Sequence, residues 1–154
     1  MIFPSARHIR DHWIVMTVKV PSQTNIEERK MFSRIMYVTV FVADQDKALD
    51  FYTNNFGFQK HADYNGPEGR FLTIALKDQG FEVLLWLGRA GQAKATPGLG
   101  TLFIESDDLR KDFAELKARG VQFLEPEPET YPFGMRVTAL DPDGNPVALR
   151  QTRK

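Results

Sequence analysis

A run near the C-terminus, Leu140-Asp141-Pro142-Asp143-Gly144-Asn145-Pro146, forms a turn that launches the short apolar segment Val147-Ala148-Leu149-Arg150. Strands launched this way often carry a working group just past the turn. Here that slot holds Ala148, which can neither bind a metal nor move a proton. Other reactive residue types are sparse. His8 and His12 share an i, i+4 spacing that zinc helices use, but no third ligand lies near them, so they read as surface histidines. His61 stands at the end of an expected strand before a Gly-rich turn and reads as an edge histidine rather than a base. Arg70 and Arg136 have the planar fork that clamps carboxylate or phosphate, against a default of solvated surface arginines.

Composition narrows the classes further. The chain has 154 residues and no cysteine, which removes disulfides, thiolate nucleophiles and cysteine metal sites. Twenty basic residues balance twenty acidic ones, so no global field draws the chain to nucleic acid or an anionic membrane. No apolar run approaches the roughly 20 residues of a membrane span, and the N-terminus lacks a signal-peptide cleavage pattern. The expectation is a cytoplasmic globular protein.

The elements that must position these residues come in two similar sets. Residues 1–33 have no clear period beyond one candidate strand, IVMTVKV, and read as an N-terminal arm. The domain proper is placed at 34–151: module one over 34–88, a Gly/Ala/Pro linker over 89–99, and module two over 100–151. Module one opens with the unbroken β-branched and aromatic run IMYVTVFV. Asp44 caps a helix, QDKALDFYTNNF, with a stripe of Ala48, Phe51, Tyr52 and Phe56 and a stop at Gly57. Strands follow at FGFQKHAD, RFLTIALK and FEVLLWLG, with GPEG read as a turn, since a strand and not a helix follows it.

Module two repeats the order at an offset of about 64 residues. GTLFIES leads to a helix capped by Asp107 or Asp108, with Leu109, Phe113 and Leu116 on one face and Gly120 as stop, then VQFLE, MRVTAL and PVALRQ. EPEPET reads as an acidic, proline-stiffened lid or rim.

Two βαβββ modules, with FVADQDKALDFYTNNFGF in the first and ESDDLRKDFAELKARGV followed by DPDGNPVALR in the second, resemble the vicinal oxygen chelate superfamily of glyoxalases, extradiol dioxygenases and bleomycin-resistance proteins. The resemblance implies an α+β fold whose curved mixed sheets surround a cup, and pairing as a homodimer. In metal-dependent members, His and Glu side chains from the first and last strands of each module hold a divalent ion. Those positions fall here on Tyr37, Thr101 and Ala148, with Glu82 the one residual ligand type. A catalytic divalent site takes about three N or O ligands. A phenol that ionises near 10, a threonine hydroxyl and a methyl group do not supply them. No metal and no other cofactor is therefore expected.

Strand alternation assigns the cup instead to Tyr37, Thr39 and Phe41, to Thr101 and Phe103, and to Ala148 and Arg150. Trp86, Tyr131, Phe133, Met135 and Arg136 are further wall candidates. Aromatic rings with a few hydroxyls and arginines suit a flat or amphipathic small molecule, of the drug- or metabolite-binding kind, against the alternative that the rings fill a sheet or a dimer interface. Two other classes stand beside this one: a metal-dependent lyase, isomerase or dioxygenase (or an enzyme using Tyr37 as acid), and a structural or regulatory dimerisation module.

Overall fold

The computed structural model describes Phe32 and residues 34–88 and 100–153. The arm with His8 and His12 and the linker 89–99 lie outside the described residues. Arg34–Lys154 forms a compact unit.

Module one consists of β1 (Tyr37–Val42), α1 (Gln45–Phe56), β2 (Gln59–Gly66), β3 (Gly69–Ala75) and β4 (Glu82–Leu87). The strands form a sheet in the order β1-β4-β3-β2, with β1 and β4 parallel and the others antiparallel. Helix α1 starts where Asp44 Oδ1 accepts from the amides of Asp46 and Lys47, each at 3.0 Å, and ends at Gly57 in a left-handed conformation.

Module two consists of β5 (Leu102–Glu105), α2 (Leu109–Ala118), β6 (Gln122–Phe123), β7 (Glu129–Tyr131), β8 (Gly134–Leu140) and β9 (Pro146–Thr152). Its sheet runs β5-β9-β8-β6, with β7 also paired to β8. Asp108 is the cap of α2, accepting from the Lys111 amide at 3.1 Å.

The expected strand VQFLE shrinks to Gln122–Phe123. The reason is Glu125, whose buried carboxylate accepts from the Thr138 amide at 2.7 Å and the Thr138 hydroxyl at 3.0 Å. A side chain thus meets the ladder position between β6 and β7. The start of EPEPET is tied to the sheet rather than raised as a lid, and the segment returns to pair as β7, a strand that patterning did not foresee.

The core lies between helices and sheets. Val40, Val42, Leu72, Ile74, Val83 and Leu85 fill it from module one, and Leu102, Val137, Ala139, Val147 and Leu149 from module two. Ala48 and Tyr52 from α1, with Leu109 and Leu116 from α2, close it. Phe113, on the same stripe, is only partly buried, packing at a tilt against Phe123 at 4.6 Å under Lys117. Among the described residues no helix is long and apolar enough to cross a membrane.

The turn at 141–146 joins the modules. Asp141 Oδ1 accepts from the amides of Asp143 (3.0 Å) and Asn145 (2.8 Å), while Oδ2 accepts from Asn145 Nδ2 (2.8 Å) and the Tyr52 hydroxyl (3.0 Å). Asn145 Nδ2 also donates to the Phe41 carbonyl at 2.9 Å, and Asp143 accepts from the Ala43 amide at 3.1 Å. The run Leu140–Pro146 thus holds α1 and the end of β1 against the second sheet.

Candidate ligand-binding faces

Each sheet turns one set of residues to its helix and the other set away. On β1, Val40 and Val42 are buried, while Tyr37, Thr39 and Phe41 alternate outward. Their cross-strand partners on β4 are Glu82, Leu84 and Trp86. Residues Phe71 and Thr73 of β3 and Tyr64 of β2 continue the same face through the hairpin register. Phe71 receives Tyr37 edge-on at 5.5 Å and stacks with Tyr64 at 5.0 Å and 25°. Yet Tyr37 remains 39% exposed, Phe41 49% and Tyr64 57%. Rings this large standing open on a face opposite the core are an investment that folding alone does not require.

Beside Tyr37, a β-bulge between Lys60 and Ala62 re-aims His61. Its Nδ1 lies 3.1 Å from Glu82 Oε2. The pair opens on a cavity of about 490 Å³ lined also by Arg34, Lys60, Gln79 and Phe81. His61 is thus an exposed histidine on the edge strand β2, as expected, with Glu82 beside it. Nothing in the local sequence marks the bulge, because β2 is mostly polar and has no apolar residue before Ala62 to set the phase of its alternation.

On the second sheet, β5 pairs with β9 so that Phe103 faces Ala148 and Glu105 faces Arg150; Arg136 and Arg150 are partners across β8 and β9. Phe103 is 58% exposed. The Arg150 guanidinium lies 5.3 Å from the Phe103 ring and 5.0 Å from the Tyr131 ring, and that of Arg136 lies 5.7 Å from Tyr131. Phe133, in the exposed turn after β7, meets Tyr131 edge-on at 5.9 Å. The sequence candidates thus fall into two groups, one per sheet: Tyr37, Thr39, Phe41 and Trp86, and Phe103, Phe133, Arg136 and Arg150.

Expectations change at Ala148, Met135 and Arg70. Ala148 has the expected partners but is fully buried, with Gly100 so close that a Cβ there would sit 3.0 Å from the Ala148 methyl. It lines no open surface. Thr101 is exposed just before β5, two residues from Phe103, and its amide donates to the Pro146 carbonyl at 2.7 Å. Met135 packs against the core rather than on the wall. Arg70 is likewise no clamp for a ligand. It donates to both Asp63 oxygens at 2.8 and 2.9 Å and to Asp46 at 2.7 Å. Hydrogen bonding from Arg70 holds the Asp63 carboxyl well below the usual carboxylate range, and the same contact raises the guanidinium in turn.

The four positions where the resemblance places metal ligands do not fit a divalent ion. Tyr37 and Glu82 are cross-strand neighbours, but Glu82 is the one carboxylate of the four, Thr101 offers only a neutral hydroxyl, and Ala148 has no donor atom. Among the described residues, no three His, Asp or Glu side chains converge.

Comparison with known proteins adds to this geometry. The Glyoxalase/Bleomycin resistance protein/Dioxygenase superfamily profile matches residues 34–149. The chain is 33% identical over 123 residues to YetH of Bacillus subtilis (strain 168), covering 79% of this chain and all of that protein. Among solved structures it is similar to TnmS3, an antibiotic binding protein from Streptomyces sp. CB03234, at 32% identity and a TM-score of 0.66, covering 80% of this chain and 98% of that one. It is also similar to a superfamily member from Sphaerobacter thermophilus DSM 20745, at 35% identity and a TM-score of 0.66, over 79% and 98% of the two chains.

Proposed function

The chain belongs to the Glyoxalase/Bleomycin resistance protein/Dioxygenase superfamily, and we propose that within it this chain is a metal-free binder of flat, amphipathic small molecules. The observation that carries the proposal is the set of rings left open opposite the core: Tyr37, Phe41 and Tyr64 on one sheet and Phe103 on the other. Aromatic faces give a planar ligand a large contact area at little entropic cost, and the neighbouring hydroxyls and guanidiniums orient its polar atoms. The likeness to TnmS3, itself described as antibiotic binding, supports the same direction. The proposal includes a homodimer with the open faces at or near its interface, and a cytoplasmic address consistent with a chain free of cysteine.

Fluorescence titration with the neutral aromatic probe N-phenyl-1-naphthylamine tests the reading. Saturable binding that weakens roughly tenfold in Tyr37→Ala or Phe103→Ala is the expected result, as for an aromatic anchor. Unchanged binding in both variants, or none in the parent protein, contradicts it.

One observation favours a second reading. The His61–Glu82 contact beside Tyr37 has the form of a carboxylate-oriented histidine, a proton-transfer device that needs no metal. On that reading the cavity they share would hold a substrate, and His61→Gln would abolish turnover while leaving probe binding intact.

A further inference from the structure

We propose that the cavity beside His61 and Glu82 seats a compact oxyanion, the phosphate, sulfate or carboxylate group of a small molecule. The inference goes beyond the binding reading of the open rings and holds whether or not His61 transfers protons. Its basis is the charge that separate segments bring to one cavity of about 490 Å³. Arg34 comes from the approach to β1, Lys60 and His61 from β2, and Lys77 from the turn between β3 and β4.

Partners decide which of these groups is available. Lys60 lies 3.2 Å from Asp63 and is held there. Glu82, its side chain partly buried, is turned to His61 Nδ1 at 3.1 Å. Lys77 is exposed and, among the described residues, meets no carboxylate. Arg34 donates through Nη1 to the Gly80 carbonyl at 3.2 Å. That acceptor is neutral, so it offsets none of the guanidinium charge, and the bond ties Arg34 to the turn that carries Lys77. Asp78 is the only carboxylate on the described lining besides Glu82.

Arg70 shows how this fold neutralises an arginine that it uses for structure: three donors at 2.7–2.9 Å on two carboxylates. Arg34 and Lys77 have the opposite character. A concave lining focuses the field of such charges, whereas on a flat surface solvent and salt would screen them. An oxyanion would meet the guanidinium fork and the ammonium together, with the amides of Gln59 and Gln79 on the same lining as further donors.

Isothermal titration of the full chain with sodium sulfate, against sodium chloride at equal ionic strength, tests the inference. Saturable uptake of sulfate but not of chloride is expected. Affinity should fall about tenfold in Lys77→Gln and about tenfold in Arg34→Gln, each losing one charge-assisted contact. Sodium acetate, run beside sulfate, separates the sources: uptake of both admits carboxylates, and uptake of sulfate alone restricts the cavity to tetrahedral oxyanions. No saturable uptake of either, uptake of chloride to the same extent, or affinity unchanged in both variants overturns the inference. N-phenyl-1-naphthylamine binding is expected to be indifferent to sulfate, so that failure leaves the reading of the open rings standing. Loss of probe binding with sulfate uptake intact strikes the ring reading alone. The comparison of salts uses the parent protein, so it decides the matter even if a variant does not fold.

Discussion

The Tyr52 hydroxyl, on a fully buried ring of α1, donates to Asp141 Oδ2 at 3.0 Å, joining the helix of the first module to the turn of the second. Tyr52→Phe keeps the ring's contacts with Phe51, Phe56 and Phe58 and removes only this bond. A buried hydrogen bond to a charged group contributes about 1.5–3 kcal/mol, so the variant should lose that much in urea melts. An unchanged midpoint would mean that the latch does not hold the modules together.

The same contact fixes a pH dependence. Burial, then the charge of Asp141, raises Tyr52 above its ordinary value of 10.0. Because the folded state holds this proton more tightly than the unfolded chain, its contribution is complete below pH 10 and declines as pH rises above it. Tyr52→Phe should therefore show a smaller alkaline loss of stability than the parent. Identical alkaline slopes would contradict the assignment.

Open and buried apolar residues should separate on truncation. Leu85 is fully buried on β4, and Leu85→Ala should cost about 2–5 kcal/mol. Phe103 is mostly exposed, and Phe103→Ala should cost less than about 1 kcal/mol, chiefly its cation–π contact with Arg150. Equal, large losses would mean that Phe103 is core.

How much of this was legible beforehand follows from the range of each signal. The cap at Asp44, the stop at Gly57 and the alternation of Tyr37, Thr39 and Phe41 are written within a few neighbouring residues, and the structure has them as read. Partner choice across the fold is not written locally. Nothing near Arg70 says that Asp63 and Asp46 will claim it, nor near Glu125 that it will meet Thr138. Tyr64 and Phe71 were within reach, since the tight turn at 67–68 sets their register, but they belong to the face only once β2 and β3 are paired. The burial of Ala148 depends on the approach of Gly100, which no periodicity encodes.

Gly134 tests the hairpin that presents Tyr131 and Phe133. Its φ is +145°, and a Cβ would overlap the Gln151 carbonyl oxygen. Gly134→Ala should cost on the order of 1–3 kcal/mol or prevent folding, through strain and backbone overlap. A neutral effect in thermal melts would show that β7 and β8 can be repositioned freely.

Assembly is a further expectation. Rings exposed on both sheets suit an interface between two copies, burying at least roughly 1,000 Å². Sedimentation velocity should show a dimer at micromolar concentration. A monomer at every concentration would refute this part of the account.

Native mass spectrometry of freshly purified protein tests the central claim most directly, because it weighs metal and small molecule together. The account predicts far less than one divalent ion per chain, with added mass from an organic ligand or none, and no change in metal content in Glu82→Ala. One divalent ion per chain that disappears in Glu82→Ala would contradict it and return the protein to the metal-dependent enzymes of its superfamily.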